Sequence, residues 1–183
     1  MILLVGFEKF GKFSQNLSKE VVKFFPDNLN KTSIMKIILP VSWDNSIICF
    51  KEILNSLESF PDLIFILGIH TRKKVQIERY AWNWAFGIDE LYKFKIGFIK
   101  FTRPFRAKTV FNLNRLVKFN TKQNFLSISH NPGFFLCNYI YYWALVLSKE
   151  KFPVLFMHIP QNGNRKDLIC LTENLVKQII TVF

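Results

Sequence analysis

At 183 residues, half of them apolar, the chain is long enough to bury a sizeable core as one domain spanning 1–183. No run reaches the roughly 20 apolar residues of a membrane helix, and "MILLVGFEKF" lacks the basic and long apolar regions of a signal peptide. Three cysteines without paired spacing make no disulfide framework, so the expected compartment is the cytoplasm and no membrane partner is expected. The net charge of +12 raises nucleic acid as a partner, but the lysines are scattered and the dense basic run is confined to Arg72, Lys73 and Lys74, which argues against it. A surplus of aromatic residues, 21 Phe and four Trp among them, points to an apolar interface and a homo-oligomer.

In chain order, "ILLVGF" (2–7) predicts a buried strand, and "SKEVVKFFP" (18–26) a capped amphipathic helix stopped by Pro26. "SIMKIILPV" (33–41) is a second strand, 44–60 a helix behind an Asp44 or Asn45 cap, and "DLIFILG" (62–68) the clearest central strand. The middle, 69–108, is irregular, with strand pieces near "YAWNWAF" and "KIGFIKF". A helix over 109–120, a strand over 125–129, a helix over 137–149, a strand over 153–159 and a closing helix over 170–183 complete the chain. Helices alternating with uniformly apolar strands predict an α/β fold, a three-layer α/β/α sandwich around a twisted, mostly parallel sheet.

In such a fold, ligands sit outside the carboxyl ends of the strands. His70, His130 and His158 all stand at or after such ends, and Cys137 follows the 125–129 strand at the mouth of a helix. A helix N-terminus favours a thiolate and offers N–H groups to an oxyanion; the alternative is that Cys137 is a small buried hydrophobe. His158, before Ile159 and Pro160, suits a general base to a cysteine, with His70 and His130 as competitors. Glu78 is read either as the group that orients the imidazole or as half of a surface pair with Arg79. The loop "GFEKFGKF" (6–13) nearly matches a phosphate-binding loop. It fails because Phe13 stands where a hydroxyl is needed and Glu8 would repel phosphate. Its glycines instead permit a turn displaying Phe7 and Phe10, either to a flat ligand or to the core. The histidines have no metal-ligand spacing.

Five blocks in register resemble the pyroglutamyl peptidases (pyrrolidone-carboxylate peptidases), cysteine exopeptidases of the cytosol. "GFEKFGKFSQNLS" resembles GFEPFGG…NPS, and "LPV" with "PDLIFILG" follows in order. "IERYAWN" resembles PERVAIN, "PGFFLCNYIYY" resembles AGTFVCNHLMY, and "FMHIP" resembles FIHVP. The resemblance implies Cys137 as nucleophile, His158 as base and Glu78 orienting the imidazole. It also implies Phe7 and Phe10 flanking a pyroglutamyl ring, Asn16 holding their loop, and Leu136 beside the ring. Neither metal nor organic cofactor is implied; the partner is a peptide with N-terminal pyroglutamate, and the assembly a dimer or tetramer.

Two departures stand out. The family's GQAGGR is here "GIHTRKK", so Ile69, His70 and Thr71 reshape the ring pocket, and "WAFGID" holds no counterpart of the arginine expected after PERVAIN. The same scaffold with another acyl-group specificity is one alternative. A basic module binding RNA or another polyanion through Arg72, Lys73, Lys74, Arg103 and Arg106 is the other.

Overall fold

The computed structural model describes residues 1–11, 15–119, 126–149 and 151–182. Its first elements are β1 (Ile2–Phe7), α1 (Leu17–Phe24), β2 (Asn28–Leu29), β3 (Thr32–Leu39), α2 (Trp43–Ser56) and β4 (Leu63–His70). The middle of the chain forms β5 (Val75–Glu78), β6 (Tyr80–Trp82), β7 (Ala85–Ile88), β8 (Phe94–Gly97) and β9 (Arg106–Lys108). The last part forms α3 (Leu113–Phe119), β10 (Leu126–Ser129), α4 (Leu136–Ser148), β11 (Val154–Pro160) and α5 (Arg165–Val182). Phe13, the predicted helix end at Asn120, Phe125 and Phe183 lie outside the described residues.

Every residue of β1 and β11, and all but the last of β4, is buried, because these strands are covered on both faces. They lie side by side in a seven-stranded sheet of order β10-β5-β11-β4-β1-β3-β2. β3, β1, β4 and β11 run parallel; β5 is antiparallel to β11 and parallel to β10, and β2 is antiparallel to β3. Alternation along the strands divides the core in two. Leu4, Phe65, Leu67, Leu155 and Met157 meet α1, α3 and α5 on one side of the sheet. Val5, Ile64, Ile66, Val154 and Phe156 meet α2 and α4 on the other. The result is the expected mixed three-layer sandwich.

Asn16 starts α1 by accepting the Ser18 N–H on its side-chain oxygen at 2.9 Å, an N-cap worth about 1 kcal/mol. α5 begins at Arg165, five residues before the predicted start, because Asn164 caps it through the N–H groups of Lys166 and Asp167 at 2.9 and 3.3 Å. The middle of the chain is the main correction. "VQIE" is a strand of the central sheet, whereas the anticipated strand pieces near 80–86 and 95–101 lie outside that sheet, in the β6–β9 and β7–β8 pairs.

The β7–β8 hairpin pairs Phe86 with Ile96 and Ile88 with Phe94, which puts all four on one face. They are 51, 60, 58 and 56% exposed respectively, a contiguous apolar face turned away from the core. Among the described residues no helix is long and apolar enough to cross a membrane.

Candidate active site

The site is built on one pair of register partners. Gly68 on β4 pairs with His158 on β11, so both direct their substituents to the α4 side of the sheet, on strands about 4.8 Å apart. A Cβ placed on Gly68 would stand 2.8 Å from Cys137 Sγ and 3.0 Å from the Phe156 ring. Gly68 therefore leaves the space into which the sulfur descends, next to the His158 strand. Cys137 is the second residue of α4, whose N-cap, Phe135, supplies no side-chain hydrogen bond to the first turn. Gly133, at φ +80°, makes the preceding turn, a backbone state that suits glycine.

Glu78 approaches from the other side. β5 enters antiparallel to β11, pairing Gln76 with His158, so Glu78 lies diagonally across and reaches His158 Nδ1 with Oε1 at 2.8 Å. Glu78 is wholly buried and His158 is 6% exposed. A carboxylate only accepts, so Nδ1 carries the proton and Nε2 is left as the basic nitrogen. Tyr141 Oη donates to the Glu78 backbone carbonyl at 2.9 Å, tying this strand to α4. The alternative pairing of Glu78 with Arg79 is not formed: Arg79 reaches Asn114 instead, at 3.3 Å.

The competing histidines are placed differently. His130 is exposed and stands against the Tyr80 ring at 5.8 Å. His70 packs edge-on against His158, with ring centroids 5.4 Å apart. Burial, followed by the neighbouring His158 and Arg72, pushes its pKa down to about 4. Its Nδ1 accepts the Arg72 N–H at 2.8 Å, and its Nε2 is buried without a hydrogen-bond partner.

Of the two readings of Cys137, its surroundings work against a standing thiolate at the helix mouth. Burial, reinforced by the Glu78 carboxylate, pushes the Cys137 thiol up to about 12. A helix terminus favours an anion by only about 0.3–1 kcal/mol, less than the cost of holding one buried beside the Glu78 carboxylate.

Phe7, Phe10, Asn16, Ile69 and Leu136 line one cavity with Cys137, joined by Val41 and Phe135, for which the sequence offers no chemical signal. Phe7 is not displayed at the edge; it is core, 2% exposed, with its side chain at the cavity wall. Asn16 ties the loop by donating to the Glu8 carbonyl at 2.9 Å, while Ser18 Oγ, bonded to Asn16 at 2.8 Å, accepts the Phe7 N–H at 3.2 Å. The cavity measures about 20 Å³, room for one water. Phe135 is wedged against Trp43 at 5.2 Å, stands over Gly87 and meets the half-buried Phe10 ring at 6.0 Å.

No family model matches the chain. A pyrrolidone-carboxylate peptidase of Thermosipho melanesiensis is 30% identical over 179 residues, covering 90% of this chain and 84% of that protein. One from Thermococcus litoralis is 27% identical, over 87% of this chain and 76% of that protein. The crystal structure of pyrrolidone carboxyl peptidase from Thermococcus litoralis superposes with a TM-score of 0.91 at 23% identity, covering 98% and 93% of the two chains. That from Thermus thermophilus gives 0.89 at 21% identity, over 96% and 98%. The chain belongs to the pyrrolidone-carboxylate peptidase family.

As a pyrrolidone-carboxylate peptidase homologue it is divergent where the sequence departs from the family pattern. Ile69 brings hydrocarbon to the cavity wall, and His70 adds a second imidazole beside the first. In the stretch without the arginine, Asp89 is the organising residue. Burial would raise its pKa, but N–H groups of Trp43, Lys93 and Leu91 outweigh this and hold it below the usual carboxylate range. That carboxylate fixes the turn between β7 and β8 rather than serving the cavity.

Proposed function

We propose that the chain is a single catalytic domain that removes an N-terminal pyroglutamyl residue from peptides, with Cys137, His158 and Glu78 as its triad. The buried 2.8 Å contact between Glu78 and His158, beside a sulfur seated over Gly68, carries the reading. Glu78 holds the imidazole with Nε2 free. As Cys137 Sγ attacks the 5-oxoproline carbonyl carbon, its proton passes to Nε2, so no standing thiolate is needed. First-turn N–H groups of α4 stabilise the oxyanion. His158 then gives the proton to the leaving amine; water, deprotonated by the same nitrogen, attacks the thioester, and the sulfur leaves and takes that proton back from Nε2. The residues named suffice without a cofactor.

Release of a fluorophore coupled to pyroglutamate is expected from the purified protein and to fall by about 10,000-fold or more in Cys137→Ala. Equal rates in the two proteins would remove the reading. Ile69 at the cavity wall favours a second reading, in which the same thiol chemistry serves another acyl group. Cleavage of N-acetyl-type substrates but not pyroglutamyl ones by the parent, lost in Cys137→Ala, would select it.

We also infer that copies associate through the apolar face of the β7–β8 hairpin. A two-stranded hairpin is marginal alone in water, and the flat face of Phe86, Ile88, Phe94 and Ile96 is complementary to itself about a two-fold axis. Sedimentation of the parent is expected to show a dimer or larger, and of Phe86→Lys/Phe94→Lys a monomer; a monomeric parent sinks the idea.

A further inference from the structure

In the proposed mechanism the leaving amine takes its proton from His158, so the rest of the peptide must depart on the His158 side of the sulfur. In sheet order, the cavity beside Cys137 is walled by Phe7 of β1, Val41 after β3 and Ile69 of β4. His158 stands on β11, across β4 from β1. At the carboxyl ends of β4 and β11 a second cleft opens. It measures about 540 Å³ and is lined by Thr71, Arg72 and Lys73 on one side and by 160–164 with Asp167 on the other. Its floor is closed where Pro160 pairs with His70 and Gln161 donates to the His70 carbonyl at 3.0 Å.

The lining is polar and unequal in charge. Arg72 Nη1 donates to Gln76 at 2.8 Å, and neither Arg72 nor Lys73 forms an ion pair among the described residues. Opposite them stands the single carboxylate of Asp167, in the first turn of α5, whose N–H groups are already capped by Asn164. Two cations against one anion, at the carboxyl ends of the strands that carry His70 and His158, favour a negatively charged occupant.

Resting on the peptidase reading above, we propose that this cleft receives the leaving peptide. Arg72 and Lys73 make the enzyme select peptides that carry a carboxylate within the first residues after the pyroglutamyl group. That carboxylate comes from an acidic side chain or from the C-terminus of a short peptide. The one dense basic run of the chain thus has a place beside the site.

Calorimetric titration of Cys137→Ala reads the subsite without turnover. Pyroglutamyl-Glu-Ala-amide is expected to bind about tenfold more tightly than pyroglutamyl-Lys-Ala-amide at low salt, with the difference shrinking at about 0.5 M salt. Adding Arg72→Gln and Lys73→Gln is expected to remove the difference. Pyroglutamyl-Ala-Ala as free acid, compared with its amide, reports whether a C-terminus serves as well as a side chain. Equal binding of the glutamyl and lysyl peptides, binding of neither, or a preference that persists without Arg72 and Lys73 overturns the subsite. Failure of the peptidase reading is seen separately, as absence of pyroglutamyl hydrolysis by the parent protein.

Discussion

Glu78→Gln is expected to lower kcat for pyroglutamyl-peptide hydrolysis by about 1,000- to 10,000-fold while leaving the melting midpoint within a few degrees of the parent. The carboxylate contributes to catalysis by holding the His158 proton on Nδ1 and by stabilising the imidazolium that forms when the thiol is deprotonated. A glutamine can present its amide nitrogen instead, which moves the ring proton to Nε2 and leaves no base facing Cys137. Stability should not follow activity. Glu78 is wholly buried, and its Oε2 has no hydrogen-bond partner, so removing the charge relieves a desolvation cost. Glu78→Asp keeps an acceptor but draws it back by one methylene, and is expected to fall between parent and Gln. Because Glu78 also helps to hold the Cys137 thiol protonated, alkylation of Cys137 by iodoacetamide should not fall in Glu78→Gln as hydrolysis does. A Gln variant with more than a tenth of parental kcat would remove Glu78 from the triad.

Asn138→Ala is expected to cost about 3 kcal/mol of stability and lower the melting midpoint by about 10 °C. The side chain is fully buried one residue after the thiol. Its oxygen accepts the Trp82 N–H at 2.7 Å, and its nitrogen donates to the carbonyls of Trp82 and Trp84, each at 2.9 Å. These three bonds fasten α4 to β6 and to the chain entering β7. Truncation leaves three backbone groups unpaired around a buried position, where a lost hydrogen bond is most costly. The same clamp sets the height of the α4 N-terminus over Gly68, so the surviving folded fraction should also turn over more slowly. A midpoint within about 2 °C of the parent would show that these contacts are replaceable.

Much of the sandwich was legible as pattern. Uniformly apolar β1, β4 and β11 can only be strands covered on both faces, and the amphipathic α1 was legible over 18–26, although its cap at Asn16 was not. The middle of the chain was harder. "VQIE" is a short run after three basic residues and fell within the stretch read as irregular. It belongs to the central sheet because Val75 and Ile77 fill one face, while Gln76 and Glu78 face the side on which His158 stands. The candidate site residues were found mainly through the order of short blocks, and the structure gathers Cys137, His158 and Glu78 at one rim, with Phe7, Phe10, Asn16, Ile69 and Leu136 around an adjoining cavity. Phe135 and Val41 escaped because lone apolar residues carry no chemical signature.

By itself the sequence determined the layer order, the strands whose ends bear the reactive groups and the family to which those groups belong, since periodicity and residue order are local properties of a chain. Which histidine meets the carboxylate, how little room lies beside the sulfur and which way the thiol titrates were decided by tertiary structure. Those properties depend on distance and burial, and residues eighty positions apart acquire both only when the sheet assembles. At Cys137 the local signal, a helix terminus, favours the anion; the surrounding core overrides it because removing charge from water costs more than a terminus returns.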